Sequence, residues 1–149
     1  MARFYRLVQA RWAQDAMSGE GARLAGGRWN PPGLPAVYLA GSRSLAALEI
    51  VVHAPREVLS LDWRIFEVEV PDDAIEEPER LPKHWAALPS SPAARRFGGA
   101  WLRESRALAL RVPSAIVPQE SVLLLNPGHA GIDRIRVSKP EDFRFDSRI

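Results

Sequence analysis

The sequence predicts an α+β fold of largely antiparallel strands, with helices gathered mostly before and between them. Two observations carry this expectation. A strand-like alternation at residues 2–8 is followed by helical patterns at 43–53 and 92–105, so the helices do not recur one per strand as in a wound βαβ chain. The last third then breaks into short apolar runs separated by Pro113-Ser114, by Pro118-Gln119-Glu120 and by Asn126-Pro127-Gly128, which is how an antiparallel meander reads.

Composition bounds the rest. A chain of 149 residues, 46% hydrophobic and 26% charged, is expected to form a single domain over residues 1–149 with a real core. It has no cysteine, which excludes disulfides, thiolate metal sites and a cysteine nucleophile. The three histidines, His53, His84 and His129, are scattered without metal-ligand spacing, so no metal is expected. The N-terminal residues lack the apolar stretch of a signal peptide, and no run approaches the roughly 18 apolar residues of a membrane span. A cytoplasmic protein without membrane contact is the expectation. Formal charge is +2, and basic residues are interleaved with acidic ones. That pattern argues against direct nucleic-acid binding but leaves room for a cleft that takes a phosphorylated small molecule. Lys83 and Lys139 are the only lysines; the other cations are arginines, the better bidentate partners of phosphate.

In chain order, residues 2–8 place Phe4, Arg6 and Val8 on one strand face and Arg3, Tyr5 and Leu7 on the other. Arg6 is therefore a charge among apolar neighbours, which an edge strand would let reach solvent. Residues 12–17 fit a short helix; Ser18-Gly19-Glu20-Gly21 and Gly26-Gly27 then interrupt the chain. Residues 26–33, Gly-Gly-Arg-Trp-Asn-Pro-Pro-Gly, form an irregular loop that holds a guanidinium, an indole and an amide. A short strand at 36–40 follows, with Tyr38 flanked on its own face by alanines alone. Its ring has room to meet a ligand, and a core tyrosine with a satisfied hydroxyl fits equally.

Ser42 or Ser44 caps a helix running to about His53. Every residue from 45 to 52 is apolar except Glu49. An ionised carboxylate there is costly unless it pairs with His53 one turn on or faces a polar cleft, and the cleft is the preferred reading. Residues 59–70 contain a strand, 72–80 an exposed acidic loop, and 81–88 a segment anchored by Trp85. Ser91-Pro92 starts a helix to about Ser105 with Phe97, Trp101 and Leu102 as its apolar stripe. Runs at 107–112, 115–117, 121–125 and 132–137 read as strands, and 143–149 as an edge strand or a loose end.

The common nucleotide and hydrolase signatures are absent. What remains is dispersed: Arg6, Arg28, Tyr38, Glu49, Ser114, Asn126 and His129. They offer two guanidinium groups for phosphate, rings to stack on a base, and one carboxylate. A lone carboxylate beside an aromatic and an arginine suits cleavage of a glycosidic bond through an oxocarbenium-like state, provided the leaving group needs no proton. A positively charged nicotinamide is such a group. A non-catalytic module, for instance one that binds RNA, stays open.

Arg6, Gly27-Arg28-Trp29-Asn30 with Gly33, Tyr38, Ala47-Leu48-Glu49, Pro113-Ser114, and Asn126-Pro127 with His129 resemble the RES domain family, in order and over 6–137. The resemblance implies a toxin of a bacterial type II toxin–antitoxin pair, with an ADP-ribosyltransferase-like fold around an NAD cleft. It implies loss of cellular NAD by hydrolysis or phosphorolysis, NAD being substrate, with no cofactor. A protein- or nucleic-acid-modifying ADP-ribosyltransferase is the alternative. The implied partner is an Xre-type helix-turn-helix antitoxin, and a homodimer stays open. By the same resemblance, Arg28, Glu49 and Ser114 match the arginine, glutamate and serine that name the family. Glu49, Tyr38 and Arg28 form the catalytic group. Arg6, Arg28, Trp29, Tyr38, Ser114 and Asn126 form the NAD-binding group, with Asn126 and His129 leaning to a supporting role.

Overall fold

The computed structural model describes residues 1–89 and 92–149. Its strands are β1 (Ala2–Gln9), β2 (Val37–Ala40), β3 (Trp63–Val70), β4 (Ile75–Glu76), β5 (Ala109–Pro113), β6 (Ser121–Leu125), β7 (Arg136–Val137) and β8 (Glu141–Phe143). They form one 8-stranded sheet in the order β4-β5-β6-β2-β1-β3-β7, with β8 also on β3. All pairs are antiparallel except β4 with β5. The helices are α1 (Glu20–Ala25), α2 (Arg43–His53), α3 (Arg56–Leu59) and α4 (Pro92–Glu104).

Alternation along the strands divides the core between two sheet faces. One face gathers Leu7, Ala40, Ile65, Leu110, Val112 and Leu124, covered by Leu45 and Ala46 of α2 and by Ala94, Trp101 and Leu102 of α4. The other gathers Phe4, Val8, Val37, Leu39, Val68, Leu123 and Leu125. It is covered by irregular segments that supply Ala16, Ala74, Ile132 and Ile135. Helix α2 begins where Ser42 Oγ accepts from the Leu45 amide at 3.0 Å and ends before Pro55.

Several expectations change. β1 is not an edge strand; it lies between β2 and β3, paired with β3 along its full length. Residues 10–15 form a 3₁₀ helix, and α1 occupies the stretch read as broken, because Gly19 (φ 75°) turns the chain into it. The acidic loop contains β4, held by the Glu76–Arg106 ion pair at 2.8 Å. Residues 115–117 are a turn around Ser114, and the run at 132–137 splits into a 3₁₀ turn (Ile132–Arg134) and the short β7. The helix expected from Ser91 onward is α4; Ser91 itself lies outside the described residues.

Candidate active site

The loop at 26–33 is built around a buried amide. Asn30 is inaccessible to solvent. Its Nδ2 donates to the carbonyls of Ala22 (2.9 Å), Leu34 (3.1 Å) and Pro31 (3.2 Å), and its Oδ1 accepts the Tyr38 hydroxyl at 2.6 Å. The same hydroxyl accepts the Trp29 amide at 3.0 Å. Burial pushes the Tyr38 hydroxyl far above the usual phenol range, against weaker opposing pulls from the Trp29 amide and the nearby charges of Arg28 and Arg95. Tyr38 therefore stays neutral, with its proton committed to Asn30, and only its half-buried ring is open to a ligand. Gly27 permits this closeness, since a Cβ there would stand 2.6 Å from the hydroxyl oxygen.

Arg28 points across to the segment at 81–89. Its Nη1 donates to the carbonyls of Trp85 (2.8 Å) and Ala87 (3.0 Å). Trp29 is 2% exposed, stacked on Trp85 with centroids 6.0 Å apart and set edge-on to Phe97. Its ring is enclosed by other aromatics, the arrangement of a loop anchor. Helix α4 closes the assembly through two glycines. A Cβ on Gly98 would fall 1.8 Å from the Trp29 carbonyl oxygen, and one on Gly99 3.0 Å from Pro31.

The second part of the site lies on the same sheet face, along the strands toward the far end of β5. Ser114 is buried. Its Oγ accepts the amides of Ile116 (3.0 Å) and Val117 (3.1 Å), which occupy both lone pairs, and so its proton goes to Glu49 Oε1 at 3.0 Å. Glu49 is held as an acceptor, with its other oxygen 3.9 Å from His53 Nε2. Its side chain is 29% exposed, so the carboxylate faces outward from an otherwise apolar helix.

Three predicted residues stand apart. Arg6 lies on the opposite sheet face, opposite Phe66 of β3, and its Nε donates to the Ala16 carbonyl at 3.1 Å. Burial lowers its pKa to about 10. The sheet separates Arg6 from Glu49 and Tyr38, so its expected place with them is corrected. Asn126 is buried. It sits at the other end of β6 from the Ser114 turn, five residues beyond Ser121, or about 17 Å along the strand. Its Nδ2 donates to Leu102 O and Ser105 Oγ and its Oδ1 accepts the Gly128 amide, joining α4 to the next turn. His129 continues that turn by accepting the Gly131 amide at Nδ1 (2.8 Å).

The structure adds residues that the sequence reading missed. Tyr5 shares the face of Tyr38 and Glu49, opposite Ala40, with the Arg43 guanidinium 4.5 Å above its ring. The alternation at 2–8 already paired Tyr5 with Leu7 away from Arg6, and that was the available signal. No group of three or more histidine or acidic residues that could hold a metal occurs among the described residues, and no helix there is long and apolar enough to cross a membrane. A cavity of about 310 Å³ between residues 56–61 and 144–149 is lined by none of these residues.

The model of the RES domain matches residues 3–146. The chain belongs to the RES domain family. It is 41% identical over 140 residues to the Prs ADP-ribosylating toxin of Sphingobium sp., covering 91% of this chain and 87% of that protein. It is 39% identical over 148 residues to Toxin Res of Photorhabdus laumondii, covering 97% and 95%. Among solved structures, a chain of the Mycobacterium tuberculosis MbcT–MbcA toxin–antitoxin complex aligns with a TM-score of 0.78 at 24% identity, over 96% of this chain and 84% of that one. MbcT, described as an NAD(+) phosphorylase, is 42% identical over 69 residues, 42% of this chain and 37% of that protein. The chain therefore shares its α+β fold with that chain of the complex.

Proposed function

We propose that this RES domain is the toxin of a toxin–antitoxin pair and that it cleaves the nicotinamide–ribose bond of NAD. The observation that carries the reading is the Glu49 carboxylate, partly exposed on an apolar helix and fixed as an acceptor by Ser114. In NAD the nicotinamide nitrogen is positively charged. When its bond to the ribose C1′ breaks, both electrons go to that nitrogen and nicotinamide leaves neutral, with no acid required. Positive charge then develops on C1′ and the ring oxygen, and an oriented carboxylate stabilises it. Water or a phosphate oxygen bonds to C1′ to complete the reaction, water giving up a proton. Tyr38 offers its ring to the nicotinamide side, and Arg28 a guanidinium to the phosphates. The relatives described as Toxin Res and as an NAD(+) phosphorylase, and the solved toxin–antitoxin complex, support the reading. The inhibitor in this scheme is an Xre-type helix-turn-helix antitoxin covering the site, and the reaction takes place in the cytoplasm.

Nicotinamide release by the purified chain, without any macromolecular acceptor, tests this. Release is expected, and chromatography of the products with and without phosphate assigns the acceptor. The relative described as an ADP-ribosylating toxin favours a second reading, in which a macromolecule takes the ADP-ribose. Label transferred from NAD to an added protein, with no free ADP-ribose or phosphorylated ADP-ribose, would replace the first reading with the second. No turnover at all, with a Glu49→Ala variant as toxic as the parent, would leave a binding module.

A further inference from the structure

Breakdown of a dinucleotide requires a hold on its diphosphate, and with Arg6 on the far face of the sheet Arg28 needs another partner. Helix α4 supplies a cation in the right place. Gly98 and Gly99 are the positions where α4 touches the backbone of Trp29 and the ring of Pro31. Arg95 precedes them by three and four residues, so it lies one turn nearer the helix start on the face that meets the 26–33 loop. It is exposed, and among the described residues it meets no carboxylate, unlike Arg23, Arg64, Arg106 and Arg134. Arg28 is likewise without a carboxylate partner there. Each arginine lies near enough to the Tyr38 hydroxyl for its charge to act there.

Arg28 is also oriented in advance. The two carbonyls of the 85–87 segment take both protons of Nη1. The edge formed by Nε and Nη2 remains, and that edge matches two phosphate oxygens. Trp85, stacked on Trp29, holds those carbonyls in place.

We propose that Arg28 and Arg95 form a two-arginine clamp for the diphosphate of a dinucleotide, with the Trp85 segment aiming Arg28. The clamp rests on the proposed NAD reaction for its ligand class but is separable from it by experiment. Calorimetric titration of the full chain with inorganic pyrophosphate and with ADP-ribose is the measurement, across the parent, Arg28→Gln, Arg95→Gln and, as a control, Arg96→Gln. Loss of about tenfold in affinity for both ligands is expected for Arg28→Gln and for Arg95→Gln, with a flatter salt dependence and, for Arg95→Gln, unchanged thermal unfolding. Arg96→Gln should match the parent. Unchanged affinity in Arg95→Gln would overturn the clamp, and so would NAD turnover with an unaltered KM in that variant. If the parent does not cleave NAD but pyrophosphate binding still depends on Arg95, the catalytic reading falls and the clamp stands. Trp85→Ala should weaken pyrophosphate in the parent and not in Arg28→Gln, with Trp85→Phe restoring affinity; equal losses in both backgrounds would remove the aiming role.

Discussion

At the loop end of the site, Asn30 is fully buried, and four hydrogen bonds join it to three carbonyls and the Tyr38 hydroxyl. Indole stacking and two glycine contacts from α4 add to the same few residues. At the helix end, Glu49 is partly exposed and held by a single hydrogen bond from Ser114. The loop end is fixed from many directions, as suits a part that positions a ligand. The helix end leaves one carboxylate oxygen outward, as suits a part that must meet charge developing on a substrate. Changes at the loop end should therefore appear mainly in stability, and changes at the helix end mainly in turnover.

Glu49→Gln tests this division most sharply. It keeps the shape and the contact with Ser114 but removes the charge. We expect NAD turnover to fall by about 10³-fold, with thermal unfolding shifted little. A variant that retains turnover would remove Glu49 from the chemistry. Gly98→Ala is the opposite case. Its methyl group cannot fit beside the Trp29 carbonyl, so α4 or the loop must shift, and chemical denaturation should show a loss of about 3 kcal/mol. Parental stability would mean that the two elements are less tightly joined than the structure implies.

Ser114→Ala removes the donor to Glu49 and leaves two amides without their acceptor. Turnover should fall by about tenfold through a misplaced carboxylate, with stability lowered by about 1–2 kcal/mol. A fall in stability with unchanged turnover would make Ser114 only a turn former. Tyr38→Phe should give the smallest effect on catalysis, within a few-fold, because the hydroxyl is committed to the loop. Its cost is expected in stability, about 1–2 kcal/mol, since Asn30 Oδ1 and the Trp29 amide lose their partner. Tyr38 is also held protonated in the fold, whereas in the unfolded chain it ionises near pH 10. The unfolded state therefore binds fewer protons above that pH, and parental stability should decline as pH rises past 10. The phenylalanine variant should decline less steeply in denaturation series at pH 9 and above.

The legibility of the molecule in its sequence follows the range of the forces involved. Alternation in β1 and β3 and the apolar runs of β6 and α2 are local patterns, and they marked those elements closely. β4 is only two residues long and exists through pairing with a distant strand, so no local pattern announced it, and β7 keeps only two residues of the strand read at 132–137. Glu49 stood out because a charge in an apolar helix is locally costly. Gly98 did not, since what defines it is the Trp29 backbone packed from another element.

By itself, the sequence determined the α+β class, the loop bounded by glycine and proline, and the isolation of Glu49, because each follows from backbone preference or from the cost of burying charge. The tertiary structure alone decided which side of the sheet each residue serves. It sent Arg6 to the far face, enclosed Trp29, and set Gly98 of α4 against the Trp29 carbonyl. A strand's two faces are equivalent until its neighbours are fixed, so that choice belongs to packing and not to pattern.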